Sequence, residues 1–332
     1  MVATLKPTRR AVLAGSAAGG AGLFAPAVLR AQDKLGSKPI RIISSLPPGG
    51  LTDAFARAYG DYIGEKLGQP AIVENKAGGG GSLAAVALKG SPADGHTLMC
   101  TISSTILGNR VLFKNLPYDP DKDFSFVAML PSGHLPLVVR RDSGVTNLAE
   151  FGAYAKANTI SAGSFSAGSY AHMLFDILNK HYGTGFPTVQ YRGEAPMWQD
   201  FAAGVLQIAT GSYQGSQVVL QSGAGRVIAV PTPKRMKALP DVPTFLEQGF
   251  TQKLFQLTGW LCLLGPAGLP DETAERLSQL CVEAGKTERV RKILDTFGID
   301  DAAMSRQTLK KFYDEEGPIW IEHARALNLT PQ

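Results

Sequence analysis

A strand, a turn of prolines and glycines, and an amphipathic helix follow one another without a break near the start of this chain. That unit narrows the folds open to it. Pro39-Ile40-Arg41-Ile42-Ile43-Ser44 reads as a buried strand from its β-branched run. Phe55, Ala58, Tyr59, Tyr62 and Ile63 recur at helical spacing, and Gly68 supplies a stop. Between them, Leu46-Pro47-Pro48-Gly49-Gly50-Leu51-Thr52-Asp53 makes a tight turn, with Thr52 or Asp53 placed to cap the helix. Such a turn aims backbone N–H groups and the positive end of a helix dipole at one spot, which is what an anion site requires. An ordinary βα turn has the same outline.

The alternation continues along the chain. Strand-like runs lie at 71–73, 97–102, 126–130, 135–140, 188–191, 205–210, 226–231 and 257–264. Helical patterns fit 82–89, 147–157, 169–182, 194–203, 241–248, 271–286, 288–297 and 306–327. This predicts an α/β fold with largely parallel sheets and room for two domains. In 271–286, Ala274, Leu277, Leu280, Cys281 and Ala284 form one apolar stripe, which is core packing and no cofactor site. Gly317-Pro318 is expected to break the last helix before Ile319, Trp320 and Ile321. The glycine cluster Gly78–Gly81 ends in Ser82 and lacks the lysine of a nucleotide-binding loop.

A second strand–turn–helix unit runs from Thr159 to His172, with Ser164, Ser166, Gly168 and Ser169 at its turn. Hydroxyls and free N–H groups there suit a carboxylate without a neutralising arginine. Ser103-Ser104-Thr105 after the strand at 97–102, and Tyr213-Gln214-Gly215-Ser216 after the strand at 205–210, are further candidate turns.

Thr8-Arg9-Arg10-Ala11-Val12-Leu13 opens an Ala- and Gly-rich apolar segment, and residues 1–32 carry Lys6, Arg9, Arg10 and Arg30 with no acid. This pattern predicts a twin-arginine export signal over 1–31, cleaved after Ala31 or Ala27, and a periplasmic protein. Its removal takes the formal charge from +5 to +1, so the basic balance argues for no nucleic-acid partner. Cys100, Cys262 and Cys281 are odd in number, lack metal-ligand spacing and sit among apolar residues, which favours buried inert thiols. No cofactor or metal is expected.

Enzyme chemistry has no clear home. A nucleophile elbow needs glycine two residues before its serine, and Ser166 has Ser164 there. His172 reads as a packed or capping histidine, and no carboxylate pair flanks either glycine turn. An exported α/β hydrolase is therefore the weaker alternative to a binding protein.

Several motifs occur in order: Pro48-Gly49-Gly50-Leu51-Thr52-Asp53, Gly68-Gln69-Pro70, Val73-Glu74-Asn75-Lys76-Ala77-Gly78, Ser91-Pro92-Ala93-Asp94-Gly95-His96-Thr97, Leu116-Pro117-Tyr118-Asp119-Pro120 and Leu239-Pro240-Asp241-Val242-Pro243-Thr244. In these the chain resembles the extracytoplasmic solute receptors of tripartite tricarboxylate transporters, the Bug proteins. The resemblance implies a periplasmic binding protein of type II fold, with 33–135 plus 258–332 as one lobe and 136–257 as the other. It implies a monomer that captures a mono- or dicarboxylate or aromatic acid by cleft closure, for membrane subunits of a transporter or for a sensor protein. It places Gly49, Gly50, Thr52, Asp53, Ser103 and Ser104 on one wall of the cleft, and Ser164, Ser166, Gly168 and Ser169 on the other. The chain departs from the pattern at Gly204-Val205-Leu206-Gln207 and Thr210-Gly211, where relatives often carry acids. Loss of those acids is expected to suit a more acidic or bulkier ligand.

Overall fold

The computed structural model describes residues 35, 37–257 and 259–331. The export signal expected over 1–31 lies outside the described residues, as does Thr258, where the expected second lobe boundary falls.

The chain builds its elements in three passages. The first comprises β1 (Ile40–Ser44), α1 (Leu51–Leu67), β2 (Ala71–Asn75), α2 (Ser82–Lys89), β3 (Thr97–Ile102), the short helices α3 (Ser103–Ile106) and α4 (Asn109–Leu112), and β4 (Phe124–Pro131). The second comprises β5 (Leu137–Arg140), α5 (Leu148–Ala157), β6 (Ala162–Ser164), α6 (Tyr170–Tyr182), β7 (Thr188–Gln190), α7 (Glu194–Ala202), β8 (Ile208–Thr210), α8 (Tyr213–Gln221) and β9 (Gly225–Ala229). The third comprises β10 (Trp260–Pro266), α9 (Asp271–Ala284), α10 (Glu288–Phe297), β11 (Met304–Ser305) and α11 (Arg306–Ala326).

Two sheets result, ordered β11-β4-β10-β3-β1-β2 and β7-β6-β8-β5-β9. Helical crossovers make β1 parallel to β2 and β3, and β6 parallel to β7 and β8. The expectation of largely parallel sheets is corrected by the remaining pairs. β10 is antiparallel to β3 and β4, β11 to β4, and β5 to β8 and β9. The reason is connectivity. β5 arrives directly from the first sheet and β10 from the second, so neither enters its sheet through a strand–helix–strand crossover within that sheet.

Burial follows the period of two. Ile40 and Ile42 of β1 pack with Phe55, Tyr59 and Ile63 of α1, whereas Ile43 joins Ala84 and Leu88 of α2 on the other face. The cluster that holds Ile43 also contains Leu137, Ile208, Phe255 and Trp260, so apolar packing runs between the two sheets.

Local expectations are corrected at several points. Helix α11 passes through Pro318 without a break. The proline forfeits a backbone bond, at a cost of about 3 kcal/mol, but Leu309, Tyr313, Trp320 and Ala324 line one buried face whose packing outweighs it. The helix expected at 241–248 is a single turn at Leu246–Gln248. Thr244 and Glu247 cap that turn reciprocally: the Thr244 N–H donates to Glu247 Oε2 at 2.7 Å, and the Glu247 N–H to Thr244 Oγ1 at 3.0 Å. Gly249, with φ 89°, then ends it. The segment 213–216 is no turn but the opening of α8, with Ser212 as its N-cap.

Candidate functional site

The first glycine turn leaves β1 at its carboxyl end. Pro47, Pro48, Gly49 and Gly50 are exposed, and Gly49 adopts φ 90°, which a side chain would strain. Neither Thr52 nor Asp53 is the N-cap of α1; Gly50 is, without a side-chain cap. Asp53 instead reaches back from the first helical turn. It accepts from Gly49 N (3.1 Å), Arg57 Nε (3.1 Å), an Arg57 terminal nitrogen (3.0 Å) and Asn75 Nδ2 (2.9 Å). Burial pushes this carboxyl up, but the hydrogen bonds from Arg57, Asn75 and Gly49 outweigh it and hold Asp53 below the ordinary carboxylate range. Both oxygens are thus committed to shaping the turn. Asn75 also donates to the carbonyl of Leu46 at 3.1 Å, tying the end of β2 to the turn.

Behind the turn lies a ladder of hydroxyls that sequence reasoning missed. Ser45 Oγ and Thr101 Oγ1 are 2.8 Å apart, Thr101 donates to Thr105 Oγ1 at 2.8 Å, and Thr105 donates to Gly80 O at 3.1 Å. Asn109 donates to the same Gly80 carbonyl at 3.1 Å and to Tyr118 Oη at 2.9 Å. The ladder locks the glycine cluster and the start of α3 against the first turn. Ser103 and Ser104 open α3, the former buried and the latter half-buried. Tyr118 and Asn75 belong to motifs already singled out, and that was the available signal.

The second turn leaves β6 at its carboxyl end. Ser169 caps α6, accepting from His172 N, and its Oγ lies 3.1 Å from Ser164 Oγ. Ser164 donates to the carbonyl of Ser166 at 2.9 Å. Both hydroxyls are buried and engaged within the turn, whereas Ser166 and Ala167 are exposed. The Gly168 N–H donates to His172 Nδ1 at 3.3 Å, so this histidine supports the turn. Burial lowers its pKa and keeps it neutral. Gly168 has φ 68°, and a Cβ there would lie 2.7 Å from Leu112 of α4. The second sheet's turn therefore packs against a helix that belongs to the first.

The two positions noted as missing acids are occupied otherwise. Gln207 accepts from Ser161 N at 2.8 Å and donates to Gly204 O at 3.1 Å. Thr210 donates to the carbonyls of Leu135 and Pro136, at 2.8 and 3.1 Å, in the segment that joins the sheets. A carboxylate nevertheless reaches that loop, because Glu194 accepts from Ser212 N at 3.0 Å.

Two recesses lie away from the turns. One, of about 950 Å³, is lined by Asp121, Phe126, Glu275, Arg306 and Tyr313, and the other, of about 540 Å³, by Lys237, Lys286, Arg291 and Asp300. In each recess a charge pairs locally, Arg306 with Asp271 in the first and Lys237 with Asp300 in the second. They lack the converging strand ends that make the turns the stronger candidates. No cluster of metal-ligating side chains occurs among the described residues. Cys100, Cys262 and Cys281 are buried free thiols, and burial pushes Cys100 up to about 12 and raises the other two further from reactivity.

Glycine turns at the carboxyl ends of parallel strands in two sheets, with the chain crossing from one sheet to the other after β4 and returning after β9, define a two-lobed solute-binding protein. The chain belongs to the tripartite tricarboxylate transporter family of receptors, whose pattern its residues 55–329 match. A protein of Agrobacterium vitis is 30% identical to it over 285 residues, covering 85% of this chain and 82% of the relative. A structure described as a periplasmic transporter shares 30% identity and a TM-score of 0.75, covering 89% of this chain and 98% of the other. An R. palustris protein solved with adipate shares 26% identity and a TM-score of 0.78, covering 89% and 99%.

Proposed function

We propose that this chain is a periplasmic receptor for a small organic acid. Its lobes are 33–135 plus 258–332 and 136–257, and it is exported by the twin-arginine signal over 1–31. The carboxylate is held by N–H groups and hydroxyls that the turns leave free, at Gly50 and Thr52 with Ser103 and Ser104 on one lobe and at Ser166 on the other, while Gly49, Ser164, Gly168 and Ser169 shape the turns around it. Asp53 serves by fixing the first turn. The observation that carries this reading is the pair of like-built turns, one per sheet, with Gly168 packed on Leu112. Adipate in a relative of similar fold supports the ligand class.

Each helix N-terminus contributes about 0.3–1 kcal/mol and each charged hydrogen bond about 1.5–3 kcal/mol. Less the cost of ordering and association, a few such contacts give affinities of the order of micromolar. Ligand contacts made to both lobes only in the shut state drive closure about the two connections, and the loaded monomer hands its acid to the membrane subunits of a tripartite transporter. Thermal unfolding of residues 32–332 against organic acids and their amides tests this. Acids should raise Tm with the logarithm of their concentration while the amides leave it unchanged. Equal shifts from acid and amide, or a flat panel from protein unfolded and refolded free of carried ligand, would reject it.

A further inference from the structure

The loop after β7 runs beside the second turn: Tyr191 N donates to Ser164 O at 2.8 Å and Gly193 N to Phe165 O at 2.9 Å. Its next residue, Glu194, begins α7 and stretches to the N-terminus of the neighbouring α8. There Glu194 Oε1 accepts from Ser212 N at 3.0 Å. Oε2 accepts from Ser212 Oγ at 2.7 Å and from Trp198 Nε1 at 3.4 Å. Ser212 Oγ in turn accepts from Gly215 N at 3.0 Å, so N-cap, first helical turn and carboxylate form one chain of donors.

The surroundings are fitted to this carboxylate. A Cβ at Gly215 would lie 2.2 Å from Glu194 Oε2, and one at Gly211 would lie 3.2 Å from it. A side chain at either glycine would crowd the group out. The positive end of α8, at the same strand-end face as the second turn, is thus already satisfied by a charge of the protein's own.

We propose that Glu194 is a specificity-determining residue, a built-in anion that reserves the cleft of this chain for acids with a single carboxylate. This rests on the carboxylate-receptor reading above. A ligand whose first carboxylate is held by the two turns extends its far end toward the remaining strand-end loops. A second carboxylate there meets Glu194 and finds the α8 N-terminus taken. A hydroxyl, amide or ammonium group meets an acceptor instead. Like charges a few ångströms apart at a partly exposed site differ in this way by about tenfold or more in affinity.

Calorimetric titration with chain-matched probes tests the proposal: succinate, 4-hydroxybutyrate and 4-aminobutyrate at one length, and adipate, 6-hydroxyhexanoate and 6-aminohexanoate at another. The wild type should bind the hydroxy or amino acid about tenfold more tightly than the diacid of equal length. Glu194→Gln should narrow that ratio by about tenfold, and Glu194→Asp should largely retain it. Tighter binding of the diacid by the wild type, or a ratio unchanged in Glu194→Gln, overturns the proposal while leaving the receptor reading intact. Should Glu194→Gln not fold, the wild-type ratio and Glu194→Asp decide alone. Binding of no probe, alongside a flat acid panel, removes the receptor reading and this proposal with it.

Discussion

Replacing Asp53 with alanine should destabilise the protein more than any other single change at the two turns. The side chain is 8% exposed and accepts four hydrogen bonds, two of them from Arg57. The bonds from Asn75 and Gly49 end on a buried carboxylate and are worth about 1.5–3 kcal/mol each. The Arg57 guanidinium is 47% exposed, so solvent screening leaves that pair about 0.5 kcal/mol. These terms share one acceptor and do not add fully, which puts the loss at about 3–4 kcal/mol. For a chain of this size that is a fall in Tm of roughly 6–12 °C by calorimetry. The difference also carries a pH signature. A carboxyl held below its ordinary value adds stability that is full above that value and lost as pH falls through the folded one. The gap between wild type and Asp53→Ala should therefore be constant at neutral pH and close in acid, below about pH 4. A variant melting within about 2 °C of wild type at pH 7, or a gap that survives full protonation, would refute the argument that Asp53 organises the turn.

Other outcomes follow from the same structure. Gly168→Ala should lose about 1–2 kcal/mol from its φ of 68° and more from the clash with Leu112, and should weaken acid binding in titration. Burial pushes the Glu316 carboxyl up to about 7 beside Trp260, so the fold loses stability as pH rises from the ordinary glutamate range through 7. Glu316→Gln should accordingly raise Tm more at pH 8 than at pH 5, and equal shifts at both would contradict this. Thiol-labelling reagent should leave Cys100, Cys262 and Cys281 unmodified until the protein unfolds.

The order of strands and helices was legible because the apolar periods are strong. The helices at 82–89 and 288–297 were placed to the residue. The mixed sheets were not, since strand direction depends on which sheet β5 and β10 return to, and no local pattern carries that. Pro318 misled because tertiary packing of Leu309 and Trp320 overrides a local cost. At the candidate site the two glycine turns were visible from their composition. The roles of their residues were not. Asp53 read as a cap or ligand contact, yet its partners Arg57 and Asn75 commit it to shaping the turn. Ser164 and Ser169 likewise hold each other. Glu194 gave no signal, because its target, Ser212, is 18 residues away and is brought near only by the pairing of β6 with β8.

The central claim is that one carboxylate is shared by two turns on two sheets. A crystal structure of the mature protein with the acid that most raises its Tm tests this most directly. The account predicts carboxylate oxygens about 3 Å from N–H or hydroxyl groups of both the 49–52 turn and the 164–169 turn. An acid seated instead in the recess beside Tyr313 and Arg306, or touching one turn alone, would contradict it.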